Sequence, residues 1–388
     1  MPDPCAITAL GCIAAPGAGI AAQLSALRRG GSALRLSHRR DLPLSQHMPL
    51  GHVDAPLPPA PFRNLALGLA AAEEALANGA LTPPQRRRLG LIVGTSTGGM
   101  GPSEQAYIEQ GSEYLCPHYR HQQMHVTTRL LAQHLGIQGP QSTHAVACVS
   151  SACALAEAMT WLRLGICEAC LVVGCDALTR VTTAGFNSLQ LIDPSGCKPF
   201  TEQRQGMNVG EAGAALLLET RQHATARGAP IAAWLAGWGL RGDGYHPTSP
   251  DPQARQLVRA IGDALNDAGV KPEDIDWINA HGTGTRDNDA TEATAFAQAL
   301  PGIAVSSLKG LYGHTMGAAA AVEAVACCLA LQHQEIYPNH CPPGTSPIAG
   351  LPLVSAHRRQ PLRAICSTNL AFGGMDAALV FRGASACA

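Results

Sequence analysis

Short, almost wholly apolar runs alternate along this chain with longer Ala-rich or amphipathic stretches, the pattern of strands and helices stacked in layers. Residues 89–93, 169–173 and 213–218 read as buried strands rich in Leu and Val, the first two running straight into Gly94 and Gly174. Residues 276–280 and 377–381 read the same way. Helical spacing covers 64–77, the stretch after Cys148 to Arg163 with Gly165 as its stop, and 251–268. The Pro-rich stretches 54–61 and 337–352 read as surface loops, and no low-complexity linker divides the chain.

The outline repeats. A strand near 142–147 turns sharply at Cys148 into a helix of small residues, and a second strand, 303–306, leads through residues 309–314 into another, 317–331. Two helices so rich in Ala and Gly suit close mutual packing. The pattern predicts an α/β fold built by duplication, with a half at 1–228 and a half at 229–388. The apolar helix 317–331 is interrupted by Glu323 and reads as too short to cross a bilayer.

With 388 residues, 46% hydrophobic and 14% charged, the chain can bury a substantial core. Lys and Arg number 27 against 28 acidic residues, which leaves no electrostatic footprint for nucleic acid. Fourteen cysteines are scattered through apolar segments rather than spaced as a disulfide framework. Cys167 and Cys170 form a CxxC with no second pair at metal spacing, so two structural thiols are expected and no metal. No basic segment followed by an apolar run opens the chain, and a cytoplasmic location is expected.

Three segments carry the candidate chemistry. Cys148 opens a helix, where unpaired N–H groups and the helix dipole favour a thiolate and are expected to lower the thiol pKa. His281, in Ala-His-Gly-Thr-Gly-Thr, follows a strand, and its flanking glycine lets the ring project into a cleft; the Thr283 and Thr285 hydroxyls can bind an amide-rich ligand arm. His314 lies between Gly313 and the glycine at 317 in a second such junction. Lys309 and Glu323 are placed to form a buried ion pair that orients a histidine. The glycine turn 369–376 is expected to supply one half of an oxyanion hole, with the Cys148 N–H as the other and Phe372 as a gate. A thiol and two imidazoles gathered at one carbonyl would perform acyl transfer and carbon–carbon bond formation through thioesters.

Taken together, Ala-Cys148, His281-Gly-Thr-Gly-Thr, Lys309 with Gly-His314, and Asn369 with Phe372-Gly-Gly resemble the decarboxylating β-ketoacyl-[acyl-carrier-protein] synthases, nearly end to end from Ile7 to Phe381. The resemblance implies the thiolase fold, two α/β halves in five α-β-α-β-α layers. It also implies a two-stage reaction. Cys148 takes an acyl group from a carrier-protein thioester; His281 and His314 then stabilise the enolate left when malonyl-carrier protein loses carbon dioxide, and that enolate attacks the Cys148 thioester. Thr283 and Thr285 would contact the phosphopantetheine arm, Phe372 and Glu323 would stand at the substrate, Lys309 with Glu323 would support the histidines, and no cofactor or metal is implied.

Thr201, Gln205 and Met207 depart from the fatty-acid enzymes, while 181–191, Phe62-Arg63-Asn64 and 206–211 look more like the ketosynthases of aryl polyene pathways. Two alternatives stay open: a non-catalytic partner subunit resembling a chain-length factor, and a coenzyme A-dependent thiolase using Cys366 as second cysteine. The implied partners are an acyl carrier protein and either a second copy of the chain or a chain-length factor. Arg63, Arg120, Arg129 and Arg204 are candidates for a basic carrier-docking patch.

Overall fold

Two strands that the hydropathy pattern leaves unassigned, Cys5–Ala14 and Ala233–Gly242, form the middle of the sheet. This computed structural model describes residues 3–37, 41–111, 117–340, 344–348 and 350–387, so part of the predicted loop 337–352 lies outside the described residues.

Among the described residues the main sheet has 11 strands; Gly17–Ala18 pairs with Cys5–Ala14 off the main path. From one edge the path runs Gln141–His144, Gly90–Gly94, Ala169–Asp176, Ala212–Glu219, Cys5–Ala14. It continues through Ala233–Gly242, Met375–Arg382, Ala364–Ala371, Trp277–Asn279 and Val305–Ser306 to the other edge. Numbered along the chain within each set of main-path strands, both sets have the same order from edge to middle, 3-2-4-5-1. The three outer strands of each set are parallel and the inner two antiparallel. The sets join where Cys5, Ala6 and Ile7 pair with Leu235, Trp234 and Ala233.

Helices Ser150–Arg163 and Ala319–His333 lie between the two sets and touch strands of both. Arg63–Gly79 and Met124–Leu135 cover the outer face of the first set; Arg255–Ala268, with Arg286–Ala299 packed on it, covers the second. The result is five layers, α-β-α-β-α, the thiolase arrangement.

Small side chains make the middle layer possible. A Cβ on Gly174 would stand 2.7 Å from the Ala321 Cβ, and Ser151 Oγ accepts the otherwise orphaned N–H of Ala321 at 3.0 Å, capping one central helix from the other. With its leading turn the second central helix runs Met316–His333, 18 residues, longer than the sequence reading allowed and apolar enough to cross a membrane; 89% of it is buried inside the fold. Its apolarity is that of a core helix touched on all sides.

Each central helix is entered through a 3₁₀ turn, Ala147–Val149 in one set and Met316–Ala318 in the other, and each turn begins with a residue at positive φ, 45° at Ala147 and 53° at Met316. That conformation costs a non-glycine residue about 1–3 kcal/mol, so surrounding contacts must hold both elbows in place. The strand before the first elbow ends at His144, not at the expected 147, leaving only residues 145–146 as connector; in the second set residues 307–315 intervene, and they carry Lys309 and His314.

Candidate active site

The first elbow turns Cys148 toward the second set of strands. His314 Nε2 lies 3.0 Å from its sulfur. The His314 backbone is fixed on both sides, its N–H donating to Asn208 at 2.7 Å and its carbonyl accepting from Gly210 at 2.9 Å. His281 emerges just past the strand Trp277–Asn279, and the Glu292 carboxylate grips that turn, accepting the N–H groups of His281 (2.8 Å) and Gly282 (2.6 Å). The two imidazoles meet edge to face, centroids 5.1 Å apart at 87°, and the sulfur and one ring nitrogen of each lie within 4.8 Å of one another. All three side chains are buried, yet they line one cavity of about 630 Å³ together with Thr283, Thr285 and Phe372.

The hydrogen bonds set the tautomers. His314 Nδ1 accepts the Met316 N–H at 3.2 Å, and His281 Nδ1 faces the Asn369 amide at 3.5 Å. Each neutral ring therefore carries its proton on Nε2, the nitrogen that faces the cavity. Two N–H donors converge on one point, an arrangement suited to an enolate oxygen. The same protons argue against a metal here, since a ligating nitrogen must present a lone pair. Burial foremost, then the charge of Lys309, holds both imidazoles well below their ordinary value of 6.5, with the His314 ring adding to the effect on His281, so they are neutral at physiological pH.

The thiol departs from expectation. Burial outweighs the helix end and pushes Cys148 up to about 11, although Lys309 and the backbone N–H groups of Phe372 and Cys148 pull the other way. The resting group is a thiol. Those two N–H groups nevertheless reach the sulfur from opposite elements, the position that an oxyanion hole around an acyl-sulfur adduct requires.

Residues 63–224 match the family described as "Beta-ketoacyl synthase, N-terminal domain", and residues 232–341 its C-terminal domain. A putative polyketide β-ketoacyl synthase 1 of Streptomyces halstedii is 33% identical over 345 residues, 83% of this chain and 82% of that protein. The chain belongs to the β-ketoacyl synthase family. It is 31% identical to 3-oxoacyl-[acyl-carrier-protein] synthase 2 of Staphylococcus aureus over 76% of this chain and 77% of that one. A chain from the solved complex of a ketosynthase with its chain length factor, from Xenorhabdus doucetiae, superposes with a TM-score of 0.85 at 32% identity, over 98% of both chains. This β-ketoacyl synthase is thus an acyltransferase that forms carbon–carbon bonds.

Within the synthase, Lys309 and Glu323 do not line the cavity, which corrects the placement of Glu323 at the substrate. Lys309 Nζ donates to Glu323 Oε1 at 2.6 Å, Glu323 Oε2 accepts from Asn369 at 2.6 Å, and Asn369 faces His281. The ion pair therefore supports His281 through Asn369, rather than bonding to the nearer-in-sequence His314. Lys309→Met would leave Glu323 buried and unpaired, lowering stability by about 3–5 kcal/mol in urea unfolding. A loss under 1 kcal/mol would show that water reaches the pair.

Cys366 lies fully buried in the strand Ala364–Ala371 and does not line the cavity, which removes the second cysteine that the thiolase alternative requires. Cys167 and Cys170 are free thiols and both are buried. None of the four candidate docking arginines lines the cavity: Arg63 pairs with Glu211, Arg204 is tucked against Thr201 and Asp289, and Arg120 and Arg129 are exposed elsewhere. Arg286, unnoticed in the sequence, does line it, as do Phe186, Gln205 and Met207. Glu292 was equally unnoticed. Its signal is the buried polar face of one helix, Asn288, Asp289 and Glu292, directly after the glycine-rich turn.

Proposed function

We propose that this synthase carries its growing acyl chain on Cys148 and extends it with malonyl-carrier protein. The observation that carries the reading is the 3.0 Å approach of His314 Nε2 to the Cys148 sulfur, with His281 beside it on the same cavity. The Cys148 thiol gives up its proton as Sγ bonds the thioester carbonyl carbon of an acyl-carrier protein; the oxyanion rests on the N–H groups of Cys148 and Phe372, and collapse breaks the carbon–sulfur bond to the carrier, whose sulfur takes up that proton and leaves as the thiol. Malonyl-carrier protein then enters and its C–CO₂ bond breaks. The electron pair moves onto the thioester oxygen, where the Nε2–H groups of His281 and His314 hold it, and the enolate carbon attacks the Cys148 thioester, breaking its carbon–sulfur bond; the sulfur leaves as a thiolate and takes up a proton from solvent to restore the thiol. Thr283 and Thr285, whose hydroxyls are 2.8 Å apart on the cavity wall, take the amide-bearing arm. Lys309, Glu323 and Asn369 are supports. The reading asks for no cofactor or metal.

We further read the chain as two duplicated halves, 1–228 and 229–388, which the repeated strand order supports. The partner is a second copy or a chain-length factor, the latter in keeping with the Xenorhabdus complex. The pathway is of aryl polyene or other polyketide type, supported by the motifs at 181–191 and 206–211 and by the Streptomyces relative. Supplying the protein, alone and with candidate partner subunits, with malonyl-carrier protein and a series of acyl-carrier donors tests this. A β-ketoacyl-carrier product by mass spectrometry is expected, and acyl loading without product from any donor would return the chain to a partner-subunit role.

A further inference from the structure

We infer that Asp176 is a positioning residue for the condensing reaction: its carboxylate fills the mirror counterpart of the active site and holds the two elbows in register. The inference rests on the synthase reading above for its reaction, but on the duplication for its geometry.

Equivalent residues follow from strand register. Gly94 pairs with His144 in the first set, and Asn279 with Ser306 in the second. One residue on, the N–H of Thr95 donates to the His144 carbonyl at 3.0 Å, and that of Ala280 to the Ser306 carbonyl at 2.8 Å. Ser96 is therefore the counterpart of His281. The elbows align at their positive-φ residues, Ala147 with Met316, which makes Gly317 the counterpart of Cys148. The fourth strands of the two sets end at Asp176 and Ala371.

In each case a strand end reaches across to the other half's elbow. Past Ala371, the Phe372 N–H reaches Cys148. In the first set Asp176, which register makes the counterpart of Asn369 (Gly94 pairs with Gly174 as Asn279 pairs with Ser367), reaches Gly317, whose N–H donates to its Oδ2 at 2.7 Å. No side chain fits at that second elbow: a Cβ on Gly317 would stand 2.7 Å from Asp176 Oδ2 and 2.8 Å from Ser96. Where the active elbow has a sulfur and space for substrate, its twin has a hydrogen atom and a fixed carboxylate.

That carboxylate, fully buried, also accepts Thr95 Oγ1 (2.8 Å), the Ser96 N–H (2.9 Å), and the Thr97 N–H (2.8 Å) and Oγ1 (2.7 Å). Ser96 Oγ in turn donates to the carbonyl of Ala147, the residue before the nucleophile, at 2.9 Å. On the other side Gly317 follows Met316, whose N–H fixes the His314 ring. One carboxylate thus connects the backbone on either side of the 3.0 Å sulfur–imidazole approach. Asparagine cannot replace it, because its amide would turn N–H donors toward the N–H groups of Ser96 and Gly317.

The test compares Asp176→Asn with wild type for condensation kinetics, for thermal stability, and for iodoacetamide alkylation of Cys148 across pH. Expected are a kcat lower by about 10–100-fold with KM for malonyl-carrier protein within about twofold. Alkylation should also shift to lower pH. Of the groups facing the sulfur, Asp176 raises its pKa, Lys309 lowers it, and His281 and His314 are neutral, so only the raising charge is removed. An unchanged kcat per folded molecule together with an unmoved alkylation profile would overturn the inference. Should Asp176→Asn not fold, Ser96→Ala retains the carboxylate and removes only the tie to Ala147. It should lower kcat severalfold without moving the alkylation profile, and wild-type kcat in that variant would overturn the inference. Wild-type protein that alkylates normally yet never condenses would sink the synthase reading instead.

Discussion

Cys148→Ala ends covalent loading. After incubation with acyl-carrier protein, wild type should gain the mass of one acyl group and the variant none, with condensation lower by about a thousandfold or more. The expectation is this strong because no other described cysteine can substitute. The free cysteines whose side chains the structure describes are all buried, and Cys148 alone among them lines the cavity, with two backbone N–H groups directed at its sulfur. The variant should also fold normally, since it removes one sulfur atom from a wall that already opens onto a cavity. An adduct of undiminished size in the variant would move the nucleophile elsewhere.

His281→Ala should separate the half-reactions. Acyl transfer to Cys148 needs the sulfur and the two backbone donors, all of which remain, so the adduct still forms. Malonyl decarboxylation loses one of two converging N–H donors, and removal of one such donor slows the step by about 10²–10³-fold. His314→Ala should behave likewise in the second step. Decarboxylation by wild type should also stay level as pH falls through 6.5, because the folded rings, held well below that value, take up no proton there and remain single donors at Nε2. A midpoint at 6.5 would mean that the rings titrate as exposed imidazoles. Equal loss of both half-reactions in a folded His281 variant would contradict the division of roles.

The three side chains that meet at the cavity are legible in the sequence because each stands at an abrupt change from apolar run to glycine or small-residue helix, a local signal. What lies behind them is not local. Glu292 bonds to the His281 turn from a neighbouring helix, Asn369 links Glu323 to His281 from the far end of the chain, and Asp176 reaches an elbow 141 residues away. Hydropathy also fails at the central strands. Cys5–Ala14 is buried at every position and rich in Ala and Cys, so it shows neither the alternation of a half-exposed strand nor the Val and Ile density of a typical buried one. The thiol pKa differs from the sequence expectation for a related reason: a helix end is visible in sequence, whereas complete desolvation is a property of the assembled core.

The three residue pairs that stitch Cys5, Ala6 and Ile7 to Leu235, Trp234 and Ala233 have a meaning beyond architecture. Nucleophile and proton donors belong to opposite sides of that seam, so neither side holds a working reagent by itself. Were the seam to open, thiol and imidazoles would part, and a molecule opened there would carry no reactive thiol–imidazole pair. Competence and cohesion are, for this enzyme, one measurement.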